Sequence, residues 1–135
     1  MVTSGGTEAN ALAIVGQVTA LIDSGRSTES IHVLYAPSAH ASTRGAISML
    51  KERGVTVEAL AVLSGKIDLT TLAQQIRPET ALIALDVVCG ETGTRFDTRA
   101  VRQVLDRDRG GLSPRIRIHA DASQLPLVES FELTR

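Results

Sequence analysis

Past Gly5-Gly6, the apolar residues Ala11, Ile14, Val15, Val18, Leu21 and Ile22 return every three or four positions, the spacing of one helical face, and Ser24-Gly25 ends the run. Ile31 to Ala36 is a short β-rich stretch stopped by Pro37-Ser38. A second helix is predicted over Ala41 to Arg53, with Ile47 and Leu50 inward and Gly54 as its stop. Val55 to Val62 reads as a strand, and Asp68 to Ile76 as a short helix capped by the Asp68 carboxylate. Thr80 to Val88 is almost continuously apolar, as a parallel strand covered on both faces must be. Thr98 to Asp106 is helical in pattern, Gly110-Gly111 interrupts the chain, and Arg115 to Ala120 forms another strand. The regular alternation predicts an α/β fold, a mostly parallel sheet flanked by helices. Sites in such sheets gather at the carboxyl ends of strands. The unusual local sequences around His40, Glu91 and Asp121 all fall at such ends.

Composition narrows the class without naming a function. With 43% hydrophobic and 21% charged residues, the 135-residue chain can build a core of one domain or part of one. Phe96, Phe131 and Tyr35 are the only aromatics, so that core is aliphatic. A net charge of −1 gives no electrostatic footprint for nucleic acid or an anionic membrane. One cysteine, Cys89, excludes an intramolecular disulfide and a multi-cysteine zinc site. There is no apolar run near ~20 residues and no signal-peptide pattern, so a cytoplasmic protein is expected. Met1-Val2 leaves no room for a strand before the glycine turn, and Phe131 to Arg135 has no closing turn, so both ends read as cut.

Four places carry candidate chemistry. Thr3 to Asn10, TSGGTEAN, puts small residues before a helix, where free N–H groups and the helix dipole favour an anion such as phosphate. A plain glycine turn with Thr7 as helix cap and Asn10 facing solvent accounts for the same residues. His40 follows a strand end and is either a helix-start residue or a catalytic one, whereas His32 and His119 sit in or beside strands and read as structural. Asp121, just past an apolar strand, is open to three readings: catalytic carboxylate, metal ligand or turn-former. No second ligand at metal spacing supports the metal. Asp121 and Gln124 can point into one crevice from their loop. Cys89 opens the polar loop through Thr94 and reads as an inert buried thiol, since no base neighbours it in sequence. The glycine turn lacks the spacing of the dinucleotide fingerprint and of the P-loop, which disfavours a nucleotide-binding domain.

In their order along the chain, TSGGTEAN at 3–10, SAHAS at 38–42, GKIDL at 65–69, IRPETALIAL at 76–85, GETGTRFD at 90–97 and HADASQLP at 119–126 resemble the cysteine desulfurases. These belong to the fold-type I, class V aminotransferase-like enzymes, and selenocysteine lyases are similar. The resemblance implies pyridoxal 5′-phosphate (PLP) as cofactor and residues 1–135 as a partial PLP-binding large domain, truncated at both ends. It implies that Gly6 and Thr7 bind the cofactor phosphate. His40 stacks on the pyridine ring and serves in proton transfer, Asp121 pairs with the ring nitrogen, and Gln124 bonds the ring's phenolic oxygen. An aspartate at that nitrogen keeps it protonated, so the ring can accept electrons. The implied reaction converts L-cysteine to L-alanine and leaves the sulfur on a mobile enzyme cysteine, in a homodimer that can serve a sulfur-acceptor protein. Two departures stand out. Gly90 occupies a position where the family usually has an asparagine that also contacts the ring oxygen. The lysine that holds the cofactor and the sulfur-accepting cysteine are expected downstream of residue 135, and Lys51 and Lys66 lie in the wrong contexts. The chain by itself is therefore expected to be inactive, and a non-catalytic PLP- or phosphate-binding module is the alternative.

Overall fold

The computed structural model describes residues 2–107 and 116–125. Helix α1 (Gly6–Asp23) is followed by strand β1 (His32–Tyr35), helix α2 (Ala41–Glu52) and strand β2 (Thr56–Ala59). Short strands β3 (Val62–Leu63) and β4 (Lys66–Ile67), helix α3 (Leu69–Gln75), strand β5 (Thr80–Asp86), helix α4 (Thr98–Arg107) and strand β6 (Arg117–Asp121) complete the order. The strands β2-β1-β5-β6 form one sheet with every neighbouring pair parallel. Gly110-Gly111, Arg115, Pro126 and the segment from Phe131 lie outside the described residues.

Period-two burial explains how the layers form. In β1 and β5, Leu34, Ile83 and Leu85 face α3 and α4, packing with Leu72, Val101 and Leu105. Val33, Leu82 and Ala84 face α1 and α2, packing with Ile14, Val18, Ile47 and Leu50. All seven residues of β5 are buried, as its unbroken apolar run requires. Each such Val, Leu or Ile side chain contributes about 1.5–3 kcal/mol by leaving water. From β1 the chain moves outward to β2, then returns to lay β5 on the other flank of β1. The direction of winding therefore reverses between β1 and β5, and the crevice outside their carboxyl ends is where such sheets bind ligands.

Three local expectations are corrected. The stretch from Val55 to Val62 is not one strand. After β2, Leu60 donates a last bond to the Tyr35 carbonyl (2.8 Å), and Val62-Leu63 pair back on Lys66-Ile67. The turn is Ser64-Gly65 with φ of 50° and 76°, the double positive φ of a tight hairpin, which places Lys66 in β4. Thr7 does not cap α1. Gly5 holds that position without a side-chain bond, and the Glu8 carboxylate reaches back to Ser4 N–H (2.6 Å) and Ser4 Oγ (2.8 Å). Lastly, β5 ends at Asp86, and β6 runs through Asp121, which is its last residue and not a loop residue. The other predicted caps hold: Asp68 accepts from the N–H groups of Thr70 and Thr71, and Gly54 takes positive φ after α2.

Candidate functional site

Three strand ends and one helix start enclose a cleft of about 190 Å³. Beyond β1 the chain turns through Pro37 to Ala39 into His40, which is the N-cap of α2. Asp86 and Asp121 end β5 and β6, and they are register partners across the ladder. The first turn of α1 faces them, bringing Gly6 and Thr7 to the rim. Gly6, Thr7, His40, Asp121 and Gln124, scattered over 119 positions of sequence, all line this one space. A Cβ on Gly6 would stand 3.1 Å from Ser123 Oγ, and one on Gly90 3.4 Å from Gln124 Cγ. The absence of both keeps the cleft open.

Asn10 organises the polar wall, which overturns its reading as a solvent-facing residue. It is buried, and its amide nitrogen donates to Asp121 Oδ2 (2.7 Å) and to Ser42 Oγ (2.8 Å). Its amide oxygen accepts from His119 Nε2–H at 2.9 Å. The Ser42 hydroxyl then donates to His40 Nδ1 (2.7 Å), which also accepts from Ser42 N–H (3.2 Å). An Nδ1 that accepts leaves the neutral imidazole's proton on Nε2. One hydrogen-bond chain thus orients His119, Asn10, Ser42 and His40 around Asp121. His119 is structural in that it sets Asn10, and burial pushes its imidazole below the ordinary range, towards the neutral form.

The two carboxyls differ sharply. Burial pushes Asp121 up, but Ser123, whose N–H (2.9 Å) and hydroxyl (2.5 Å) donate to Oδ1, together with Asn10 outweighs it and holds Asp121 below the ordinary aspartate range. Asp86 is 3% exposed, accepts one bond on Oδ2 from the His40 N–H (3.0 Å), and has no partner on Oδ1 among the described residues. Burial first, and the Asp121 charge second, push it up to about 6. Asp86 and Asn10 were both missed from sequence. The available signal for Asp86 was a single acid inside the otherwise apolar run TALIALDVV.

The remaining candidates stand apart from the cleft. Cys89 is buried, its thiol 3.6 Å from the Ser38 carbonyl, and a hydrogen bond with Thr92 draws it below the usual thiol range. His32 begins β1, at the opposite end of the strand from the cleft, with Nδ1 2.9 Å from Thr80 Oγ1. Among the described residues no lysine lines the cleft: Lys51 is in the last turn of α2 and Lys66 in β4.

The family model for aminotransferase class-V matches residues 1–130. Cysteine desulfurase IscS of Buchnera aphidicola subsp. Acyrthosiphon pisum (strain 5A) is 32% identical over 123 residues, covering 90% of this chain and 28% of that protein. IscS 1 of Archaeoglobus fulgidus is 28% identical over 122 residues, covering 90% of this chain and 29% of that protein. Of solved structures, DndA from Streptomyces lividans superposes with a TM-score of 0.71 at 28% identity, over 90% of this chain and 32% of its own. SspA in complex with cysteine gives a TM-score of 0.71 at 27% identity, with the same coverage. The chain spans about 30% of the length of these relatives.

Proposed function

The chain belongs to the aminotransferase class-V family, whose members include PLP enzymes, and from that footing we propose that its cleft is the PLP cradle of a cysteine desulfurase. The observation that carries the reading is the convergence of Gly6, Thr7, His40, Asp121 and Gln124 on one cleft. Residues 1–135 are then a portion of the large domain of a longer enzyme, which takes L-cysteine as substrate and hands on its sulfur as a homodimer.

The residues present fit the group. At the start of α1 no side chain caps the backbone N–H groups, and with the Thr7 hydroxyl and the helix dipole they suit a phosphate. Asp121, kept anionic by Ser123 and Asn10, suits a protonated ring nitrogen. Gln124 supplies an amide for the ring oxygen, and Gly90 leaves that amide room while adding no contact of its own. When bound, PLP supplies a conjugated electron sink for the substrate's α-carbon. The chain's own part is to hold the phosphate, to keep a negative charge at the nitrogen, to cover one ring face with His40, and to present a proton at His40 Nε2.

Equilibrium dialysis of the chain with PLP tests the cradle. Binding is expected, weakened at least tenfold by Thr7→Ala and by Asp121→Asn. Equal binding by all three proteins refutes it. Alanine release from L-cysteine by the longer parent protein tests the activity. One observation favours a second reading, a module that binds PLP without catalysis: no lysine lines the cleft among the described residues. Saturable PLP binding by a parent protein that yields no alanine from cysteine would select it.

A further inference from the structure

Asp86 and Asp121 end adjacent parallel strands as register partners, and both line the cleft. Their support is unequal. Both oxygens of Asp121 are engaged, Oδ1 by Ser123 and Oδ2 by Asn10. Asp86 receives one backbone N–H, from His40, and its Oδ1 is buried with no partner among the described residues. The Asp121 charge opposes ionisation of its register partner Asp86, and the hydrogen bonds favour the anion on Asp121 over that on Asp86. We propose that Asp86 is a proton-holding positioning residue coupled to Asp121, so that a cationic ring nitrogen docking on Asp121 releases the Asp86 proton to solvent.

The proposal rests on the PLP reading for its ligand, while the coupling itself rests on the chain alone. A cation on Asp121 cancels the neighbouring charge that opposes ionisation of Asp86, so the Asp86 proton is held less tightly. The ionised Asp86 then accepts the His40 N–H more strongly, which fixes the turn carrying the His40 ring. The other groups acting on Asp86 come from α2 and its N-cap, where His40 and Arg44 favour the anion. Cys89, three residues on in the loop after β5, feels the Asp86 charge in turn. Without ligand Asp86 titrates at about 6, so it is about half protonated near pH 6, where the effect is largest.

Carbon-13 NMR of the aspartate-labelled 135-residue chain tests the coupling without any ligand. One carboxyl should titrate near pH 6, vanish in Asp86→Asn, and move to lower pH in Asp121→Asn. If Asp121→Asn does not fold, Asp121→Ser serves, since it also removes the charge that opposes ionisation of Asp86 and should draw the Asp86 midpoint down. An Asp86 midpoint that neither change moves overturns the proposal. Calorimetry with pyridoxine 5′-phosphate near pH 6, in two buffers of different ionisation heat, tests the ligand half. The unmodified chain should release up to about half a proton more than Asp86→Asn. The difference should disappear with an analogue whose ring lacks the nitrogen. Equal proton release by both proteins overturns the coupling and leaves the cofactor reading standing. No binding of either phosphate compound removes the cofactor reading and the ligand half with it, and the NMR titration then still decides the carboxyl pair.

Discussion

Replacing Asp86 by Asn removes a buried carboxyl while keeping an oxygen for the His40 N–H. In the folded chain this carboxyl is pushed from 3.8 to about 6, chiefly by burial and next by the Asp121 charge. A raised carboxyl pKa contributes stability that is fully present below the unfolded value and lost as pH rises through the folded value. The loss therefore falls between about pH 4 and pH 6 and is complete by about pH 7. Its size is about 3 kcal/mol, at ~1.4 kcal/mol per tenfold change in proton affinity. With Asp86 3% exposed, solvent screens little of it. The new amide NH₂ sits where Oδ1 has no partner among the described residues, which costs about 1–3 kcal/mol at every pH. That cost cancels when the same two proteins are compared at two pH values. Urea unfolding at about pH 4 and pH 8 should show the difference between Asp86→Asn and the unmodified chain moving by ~2.5 kcal/mol in favour of the variant as pH rises, since part of the loss falls below pH 4. A difference that stays constant within about 0.5 kcal/mol refutes the argument.

Three further outcomes are expected. Asn10→Ala leaves Asp121 Oδ2, Ser42 and His119 each short of a partner, so urea unfolding should show a loss of about 1–3 kcal/mol, and the Asp121 carboxyl should titrate higher. Gly6→Val places a branched side chain against Ser123 Oγ at the mouth of the cleft, and dialysis should show phosphate-dependent PLP binding falling at least tenfold with the fold retained by circular dichroism. Borohydride reduction of the PLP-loaded chain, followed by peptide mapping, should find no label protected by the cleft, because Lys51 and Lys66 lie elsewhere; specific labelling of either lysine would contradict that placement.

Much of this fold was legible along the chain because its elements carry their own signals. The 3.6-residue pattern from Ala11 to Ile22, the Asp68 cap, Gly54 after α2 and the apolar run of β5 depend on neighbours within a few positions. The alternation of strand and helix then restricts the sheet to a mostly parallel one. Where the local signal was ambiguous, tertiary pairing decided. The apolar stretch beyond Val55 could continue as one strand, and it breaks because β2 runs out of ladder on β1 after Ala59 while Ser64-Gly65 closes a separate hairpin.

The candidate site divides in the same way. Gly6, Thr7, His40, Asp121 and Gln124 could be named from sequence because each stands in a distinctive short segment. Their meeting in one cleft needed the winding reversal between β1 and β5, a property of strand order that no single segment carries. Asn10 looked solvent-facing because a polar residue in the first turns of a helix usually is, and its burial follows from the way α1 lies over the end of β6. Asp86 was hidden inside an apolar run, and its chemistry arises from burial and the charge of Asp121, 35 positions away. Sequence by itself determined most of the elements and which side chains are available. Tertiary structure decided which of those side chains share a low-dielectric space, and therefore that burial opposes the charge of Asp86 while hydrogen bonds sustain that of Asp121.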